Sequence, residues 1–331
     1  MTIQNRGHAN KPPKRPIGKS GIQPYHVDAD AGSLSIVNQA TIGVIVPNLY
    51  DPFFATCARG ILDVAKQHGY SAIITISVEN SEMRQRQANL MLRQKLDGLV
   101  IIPVSGKDLY RDTDAFSGVH SVTIGDPAPD SRFDSVLVPN RSGAKSAIEH
   151  LIGHGHRSIA FLGLSRKLYT MKARYGGYRE AMSDAGHSPE PYIDCGSQER
   201  TVALIHSMMN SKVPPTALFA ANRLTMLYVL KALNIAGIHA PLQIALAGFD
   251  DLEMADVLQP SLTVIRQPVY QLGEVAANLL FQRIFGSEVR KAGRRVVLPL
   301  ELLVRSSCGC QPDAANNVCK QNPSLTVPND Q

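Results

Sequence analysis

The residues with the most chemistry to offer stand just after apolar runs. Asp51 follows "TIGVIVPNLY", Asp126 follows "SVTIG", Asn222 follows "TALFAA" and Asp250 follows "IALAGF". Carboxylates and amides so placed can hydrogen-bond a ligand, which makes each of them a site candidate. Beside Asp51 stand Pro52, Phe53 and Phe54. Aromatic rings are costly in a loop, and a carboxylate withdrawn from water is costlier unless paired. Each residue also has a plainer use. Asp51 suits a turn before proline, Phe53 and Phe54 suit a core under a helix, and Asp250 with Asp251 suits a helix N-cap.

Other spacings point to chemistry less well. "SGAK", from Ser142 to Lys145, has the S-x-x-K spacing of serine acylases, but its companion motifs are absent and Ser142 reads as an N-cap. His150 and His154 stand four apart, with His156 beyond, yet Gly153 and Gly155 break the helix around them. Cys308, Cys310 and Cys319 form C-x-C with a third cysteine eight residues on, and no fourth ligand stands at zinc-like spacing. Cys57 and Cys195 are isolated and read as small buried hydrophobes. No metal site, no cofactor and no enzyme activity is therefore expected, and no glycine-rich nucleotide loop is present.

The elements that must position these residues alternate. "TIGVIVP", "SAIITIS", "DGLVIIPV", "SVTIGD", "RSIAFLGL", "PYIDC", "TALFAA" and "IALAGFDD" read as strands. Between them "TCARGILDVAKQHGY", "SEMRQRQANLMLRQKL", "RSGAKSAIEHLIGHG", "ARYGGYREAMSDAG", "RTVALIHSMMNS" and "LTMLYVLKALNIAG" read as helices, the second opened by Ser81. Strands separated by helices of that length mean βαβ units and parallel sheets. About nine strands before residue 250 are too many for one sheet, so two doubly wound α/β lobes are expected. Ligands of such sheets bind outside the carboxyl ends of the strands, where Asp51, Asp126, Asn222 and Asp250 fall.

The chain has 331 residues, 44% hydrophobic and 19% charged, enough for one or two packed domains. No run approaches the roughly 18 apolar residues of a membrane span, and the basic N-terminus lacks the apolar core of a secretory signal. A cytoplasmic protein without membrane partners is the expectation. Net charge is +6, and half of it comes from residues 1–40, where five basic side chains outweigh Asp28 and Asp30. Such an arm suits either solvent or non-specific contact with nucleic acid.

An ordered set of motifs carries a resemblance over roughly residues 41–310: "TIGVIVPNLYDPFF", "LDGLVIIP", "SGAKSAIEHLIGHGHRSIAFL", "RYGGYREAM", "PTALFAAN", "GFDDLEMADVLQPSLTVIRQP" and "ELLVRSSCG". The chain resembles the LacI/GalR transcriptional regulators in their effector-binding core, which is similar to the periplasmic sugar-binding proteins. That resemblance implies two Rossmann-like lobes of periplasmic binding protein-like type I, joined by three crossovers. It implies a first lobe at 41–162 and 264–292, and a second at 163–263 and 293–310. Residues 1–40 would form a basic, largely disordered arm with a degenerate hinge, and 311–331 a disordered tail. It implies that a small sugar or sugar-acid-like effector sits in the cleft, contacted by Asp51, Phe53, Phe54, Asp126, Arg174, Asn222 and Asp250. It further implies a homodimer whose DNA binding the effector modulates at an operator.

The departures from that family bear on specificity and on DNA. Pro127 stands where an arginine is common, Pro139 where an aspartate is frequent, and Arg223 where the family usually has aspartate. The charge reversal at Arg223 favours an anionic effector. Ahead of Thr41, Pro12, Pro13 and Pro16 break helix where a DNA-reading helix is expected, and Asp28 and Asp30 would repel phosphates. The expected reading module is truncated, degenerate or encoded upstream of this start. A sugar-binding protein without DNA binding is the alternative that this leaves open.

Overall fold

The computed structural model describes residues 40–77, 89–91, 93–102, 119–127, 133–286 and 292–310. The N-terminal arm, the C-terminal tail with Cys319, and most of the helix expected from Ser81 lie outside the described residues.

Two six-stranded sheets form the frame. The first contains β1 (Thr41–Val46), β2 (Ser71–Ile76), β3 (Gly98–Ile101), β4 (His120–Ile124), β5 (Asp134–Leu137) and β11 (Arg295–Val297). Its order is β11-β5-β4-β3-β1-β2, all parallel. The second contains β6 (Ile159–Gly163), β7 (Ile193–Asp194), β8 (Ala217–Ala220), β9 (Ala245–Phe249), β10 (Thr263–Arg266) and β12 (Glu301–Leu303). Its order is β12-β10-β9-β8-β6-β7, parallel except where β12 runs against β10. Both sheets thus use one doubly wound arrangement, with the first-formed strand second from the edge. The central strands are buried throughout, as their continuous apolar runs require.

Among the described residues, helices that flank the sheets include α1 (Pro52–Gln67), α2 (Asn140–Gly153), α3 (Tyr169–Asp184), α4 (Gln198–Met209), α5 (Arg223–Ala236) and α6 (Val269–Ile284). α1 packs on α6, and α2 on α3. The α2–α3 approach depends on Gly177, where a Cβ would come within 2.0 Å of the Arg141 carbonyl oxygen. No described helix is long and apolar enough to cross a membrane.

Three crossovers join the sheets, and each carries a proline: Pro139 after β5, Pro268 after β10 and Pro299 between β11 and β12. Proline cannot donate to a ladder, so it ends a strand where the chain must leave the sheet. Pro139 (φ −76°, ψ 72°) and Pro268 (φ −80°, ψ 66°) both adopt an inverse γ-turn. The following N–H closes each turn, Asn140 onto Val138 at 2.8 Å and Val269 onto Gln267 at 3.0 Å.

These crossovers move the expected lobe limits. α2 packs against β9, β10 and β12, and β6 lies in the second sheet, so the first passage falls at Pro139 rather than after residue 162. The last two passages shift likewise, with β10 in the second sheet and β11 in the first. Ser142 is a residue of α2 and not its N-cap, because the helix already opens at Asn140.

At the amino end of β5, Asp134 is fully buried between two arginines. Arg283 donates two hydrogen bonds to it at 2.8 and 2.7 Å, and Arg294 a third at 3.1 Å. Burial alone would raise its carboxyl, but these donors outweigh that and hold it below the usual carboxylate range. Asp134→Ala would leave two cations facing an apolar wall, so urea melts should show a loss of about 3–5 kcal/mol. A depressed carboxyl contributes stability above its unfolded pKa and loses it on acidification, so the gap between wild type and Asp134→Asn should narrow below about pH 4.

Candidate functional site

The first wall grows from the end of β1. The Asp51 carboxylate N-caps α1 by accepting the Phe53 N–H at 3.0 Å, and Pro52 takes the first helical position. The Asp51 N–H in turn donates to the Asn48 side chain at 2.9 Å. Burial raises the Asp51 carboxyl; the Phe53 N–H opposes this, and the Asp250 charge adds to it. Phe53 and Phe54 are half-buried and pack against the core, edge to face at 5.3 Å and 87°.

The second wall comes from the ends of β8 and β9. Asn222 N-caps α5 by accepting the Thr225 N–H at 3.1 Å. Asp250 is not the N-cap residue of a helix that follows it: it stands at φ 76°, and its carboxylate accepts the Arg223 N–H at the start of α5 at 3.3 Å and the Gln267 amide at 2.5 Å. Asp251 turns away to a bidentate pair with Arg305 at 2.8 and 3.0 Å. Arg174 is only 4% exposed. Its guanidinium donates to Asn140 Oδ1 at 2.8 Å and to the Ala221 carbonyl at 2.6 Å, lies 3.6 Å from Asp250, and stacks 3.6 Å above the Phe249 ring. Burial lowers the Arg174 pKa while Asp250 opposes that.

Arg223 spans the two walls. It pairs with Glu253 at 2.7 Å and reaches Asp51 at 3.7 Å. Its charge is therefore engaged within the protein, and the charge reversal by itself is no argument for an anionic effector.

Asp126 completes the set from the end of β4, past Gly125 at φ 85°. Its side chain is buried, and no described residue hydrogen-bonds its carboxylate. Burial pushes its pKa up to about 6, and Lys172 on α3 pulls weakly the other way. All seven residues, Asp51, Phe53, Phe54, Asp126, Arg174, Asn222 and Asp250, border one cavity of about 940 Å³. It opens at the carboxyl ends of strands from both sheets, the place where doubly wound sheets hold ligands.

Comparison with known proteins agrees in sequence and in fold. A periplasmic binding protein-like domain profile matches residues 148–308. The HTH-type transcriptional repressor PurR of Aliivibrio fischeri is 28% identical over 295 residues, 86% of this chain and 85% of that protein. The solved transcriptional regulator CelR–cellobiose complex is 26% identical, with a TM-score of 0.72 over 81% of this chain and 84% of that one. The chain is similar to LacI-type transcriptional regulators over most of its length. A further LacI family transcriptional regulator, from Enterococcus faecium with bound ribose, is 25% identical, with a TM-score of 0.69 over 79% of this chain and 96% of that one.

Two cavity residues escaped the reading of the sequence. Asn140 is 3% exposed and holds Arg174, and Gln267 holds Asp250. Both directly border a crossover proline, after β5 and β10. The rule that selects polar residues just after strands reaches Asn140 once "DSVL" is recognised as a strand, and four residues give little periodicity to recognise.

Asp126 yields a test with a definite sign. A folded carboxyl raised above its unfolded value destabilises the fold as pH climbs through the interval between the two. Asp126→Asn should therefore raise stability at pH 7–8 by about 1–3 kcal/mol and lose that gain near pH 4. Chemical denaturation at both pH values reads the difference.

Proposed function

We propose that the chain is a ligand-responsive transcriptional regulator of LacI type that binds a small sugar or sugar-acid-like effector in this cavity. The observation that carries the reading is the pairing of Asp126, a buried carboxylate with no described hydrogen-bond donor, with the Arg174–Asp250 unit across one cavity. A carboxylate kept away from water at a cost in stability makes sense where a ligand's hydroxyl groups supply its missing donors. Phe53 and Phe54 offer the apolar faces that cover a sugar ring. A volume of about 940 Å³ lies within the range of small-molecule sites. The sugars named with two solved relatives support the same class of effector.

The mechanism follows from three crossovers. A ligand touching both walls favours the conformation in which both contact it, and the proline turns are the segments about which the lobes move. DNA bound by a dimer would bias the same equilibrium, which couples the two sites reciprocally. The helix-breaking Pro12, Pro13 and Pro16 and the acidic Asp28 and Asp30 favour a second reading, a sugar sensor that does not itself read DNA.

A panel of sugars, sugar acids and nucleosides should contain one class that raises the melting temperature, by roughly 5 °C at 100 times its Kd. Asp126→Asn and Asp250→Asn should each weaken that compound by about 1.5–3 kcal/mol, roughly 10- to 150-fold in Kd by calorimetry. Unchanged affinity in both variants would move the ligand out of this cavity. Retardation of promoter DNA by the full chain, relieved by the same compound, separates the regulator from the sensor without DNA binding.

A further inference from the structure

Far from the cavity in sequence, the last turn of α2 meets the segment that follows β12. His150 and His154 lie four residues apart in and just after that turn, and Cys308 and Cys310 flank Gly309. The helix runs through Gly153, which puts both imidazoles on one side, and the Gly309 turn at φ 90° brings the two sulfurs to 3.1 Å. His150 Nε2 lies 3.3 Å from Cys308 Sγ and 3.6 Å from Cys310 Sγ. His154 Nε2 lies 2.9 Å from Cys310 Sγ. Both cysteines are buried, and neither forms a disulfide.

We infer that His150, His154, Cys308 and Cys310 form a Cys₂His₂ site for a zinc-class divalent cation. A tetrahedron with Zn–S near 2.3 Å and Zn–N near 2.0 Å has edges of roughly 3.3–3.8 Å. The His150, Cys308 and Cys310 atoms already stand near those separations, and the exposed His154 ring must swing to bring Nε2 within reach of all three. Two sulfurs and two imidazole nitrogens are the donor set that selects zinc over harder cations. His154 is also oriented as a ligand: its Nδ1–H donates to the His150 carbonyl at 2.8 Å, which leaves the Nε2 lone pair facing Cys310. Binding would release the two thiol protons to water, one of them now held by the Arg305 carbonyl at 3.2 Å, and leave a neutral ZnS₂N₂ unit.

Four protein ligands leave no open position, so the role is structural rather than catalytic. The ion would tie α2, the first helix packed on the second sheet, to the chain that leaves its β12 edge. Ser307 already anchors that segment, accepting the Thr263 N–H at 2.9 Å and donating to the Leu246 carbonyl at 2.6 Å. His154, exposed at the surface, is the side from which the ion enters.

The test is a titration of the reduced full-length chain with Co²⁺, followed by displacement with Zn²⁺. One Co²⁺ per chain should bind, with the intense visible bands of tetrahedral coordination and a thiolate charge-transfer band. His154→Gln, a surface change that leaves the fold intact by circular dichroism, and Cys310→Ser should each weaken Zn²⁺ binding by at least roughly 100-fold, the upper end of what altering a supporting residue costs. Effector binding at the cavity should be unchanged in His154→Gln. Three results would overturn the inference. One is a wild-type chain that binds no Co²⁺, and another is a Co²⁺ spectrum indifferent to both substitutions. The third is a natively isolated chain lighter by two hydrogens, with a Cys308–Cys310 disulfide, that still refuses metal once reduced.

Discussion

One buried guanidinium organises the cavity. Arg174 faces the first crossover through Asn140, the end of β8 through the Ala221 carbonyl, and the end of β9 through Asp250. Withdrawing a cation from water is expensive, and it is tolerated when a carboxylate and several acceptors surround it. Arginine suits this place because its planar fork presents donors in several fixed directions, where lysine would present a single point of charge. With Arg174 fixed, Asp250 is held in its left-handed turn and the ends of β8 and β9 stand at set positions around the cavity.

Around that centre, residues facing the cavity also have work within the fold. Asp51 and Asn222 each cap a helix, one on either side of the opening. A capping side chain cannot wander, so the demands of helix initiation hold the cavity wall in place at no extra cost in side-chain freedom. Arg223 connects the two walls through Asp51 and Glu253, which makes opposite sides of the cavity electrostatically aware of one another. Asp126 is different. Among the described residues none hydrogen-bonds its carboxylate, and burial penalises its charge more than Lys172 favours it, the pattern expected where stability has been traded for a ligand.

The two sheets share a strand order but are held by different devices. The first is closed at the amino end of β5 by the Asp134–Arg283–Arg294 cluster, which joins α6 and the approach to β11. The second is closed at its β12 edge by serine hydrogen bonds and by the histidine–cysteine cluster. Between them the chain passes three times, each time through a proline. The paired inverse γ-turns at Pro139 and Pro268 give two of those passages the same backbone shape.

The sequence by itself determined the architecture: strands and helices alternating at βαβ spacing, apolar runs that demanded burial on both faces, and polar residues at the strand ends. Asp51, Asp126, Asn222 and Asp250 were visible for that reason, because their place relative to a strand is a local property. The resemblance to known regulators added Arg174 and gave Phe53 and Phe54, already conspicuous beside Asp51, a ligand-contacting role. Only the tertiary structure decided who meets whom. Asn140 holds Arg174 across 34 residues, Gln267 holds Asp250, and Arg223 is neutralised by partners that spacing could not name. The lobe limits also belonged to packing, since nothing local says which sheet a strand joins. The histidine–cysteine cluster is the clearest case, with about 156 residues separating His154 from Cys310. Spacing rules see only ligands that are close along the chain, and here one pair, His150 and His154, meets another, Cys308 and Cys310, from far along it.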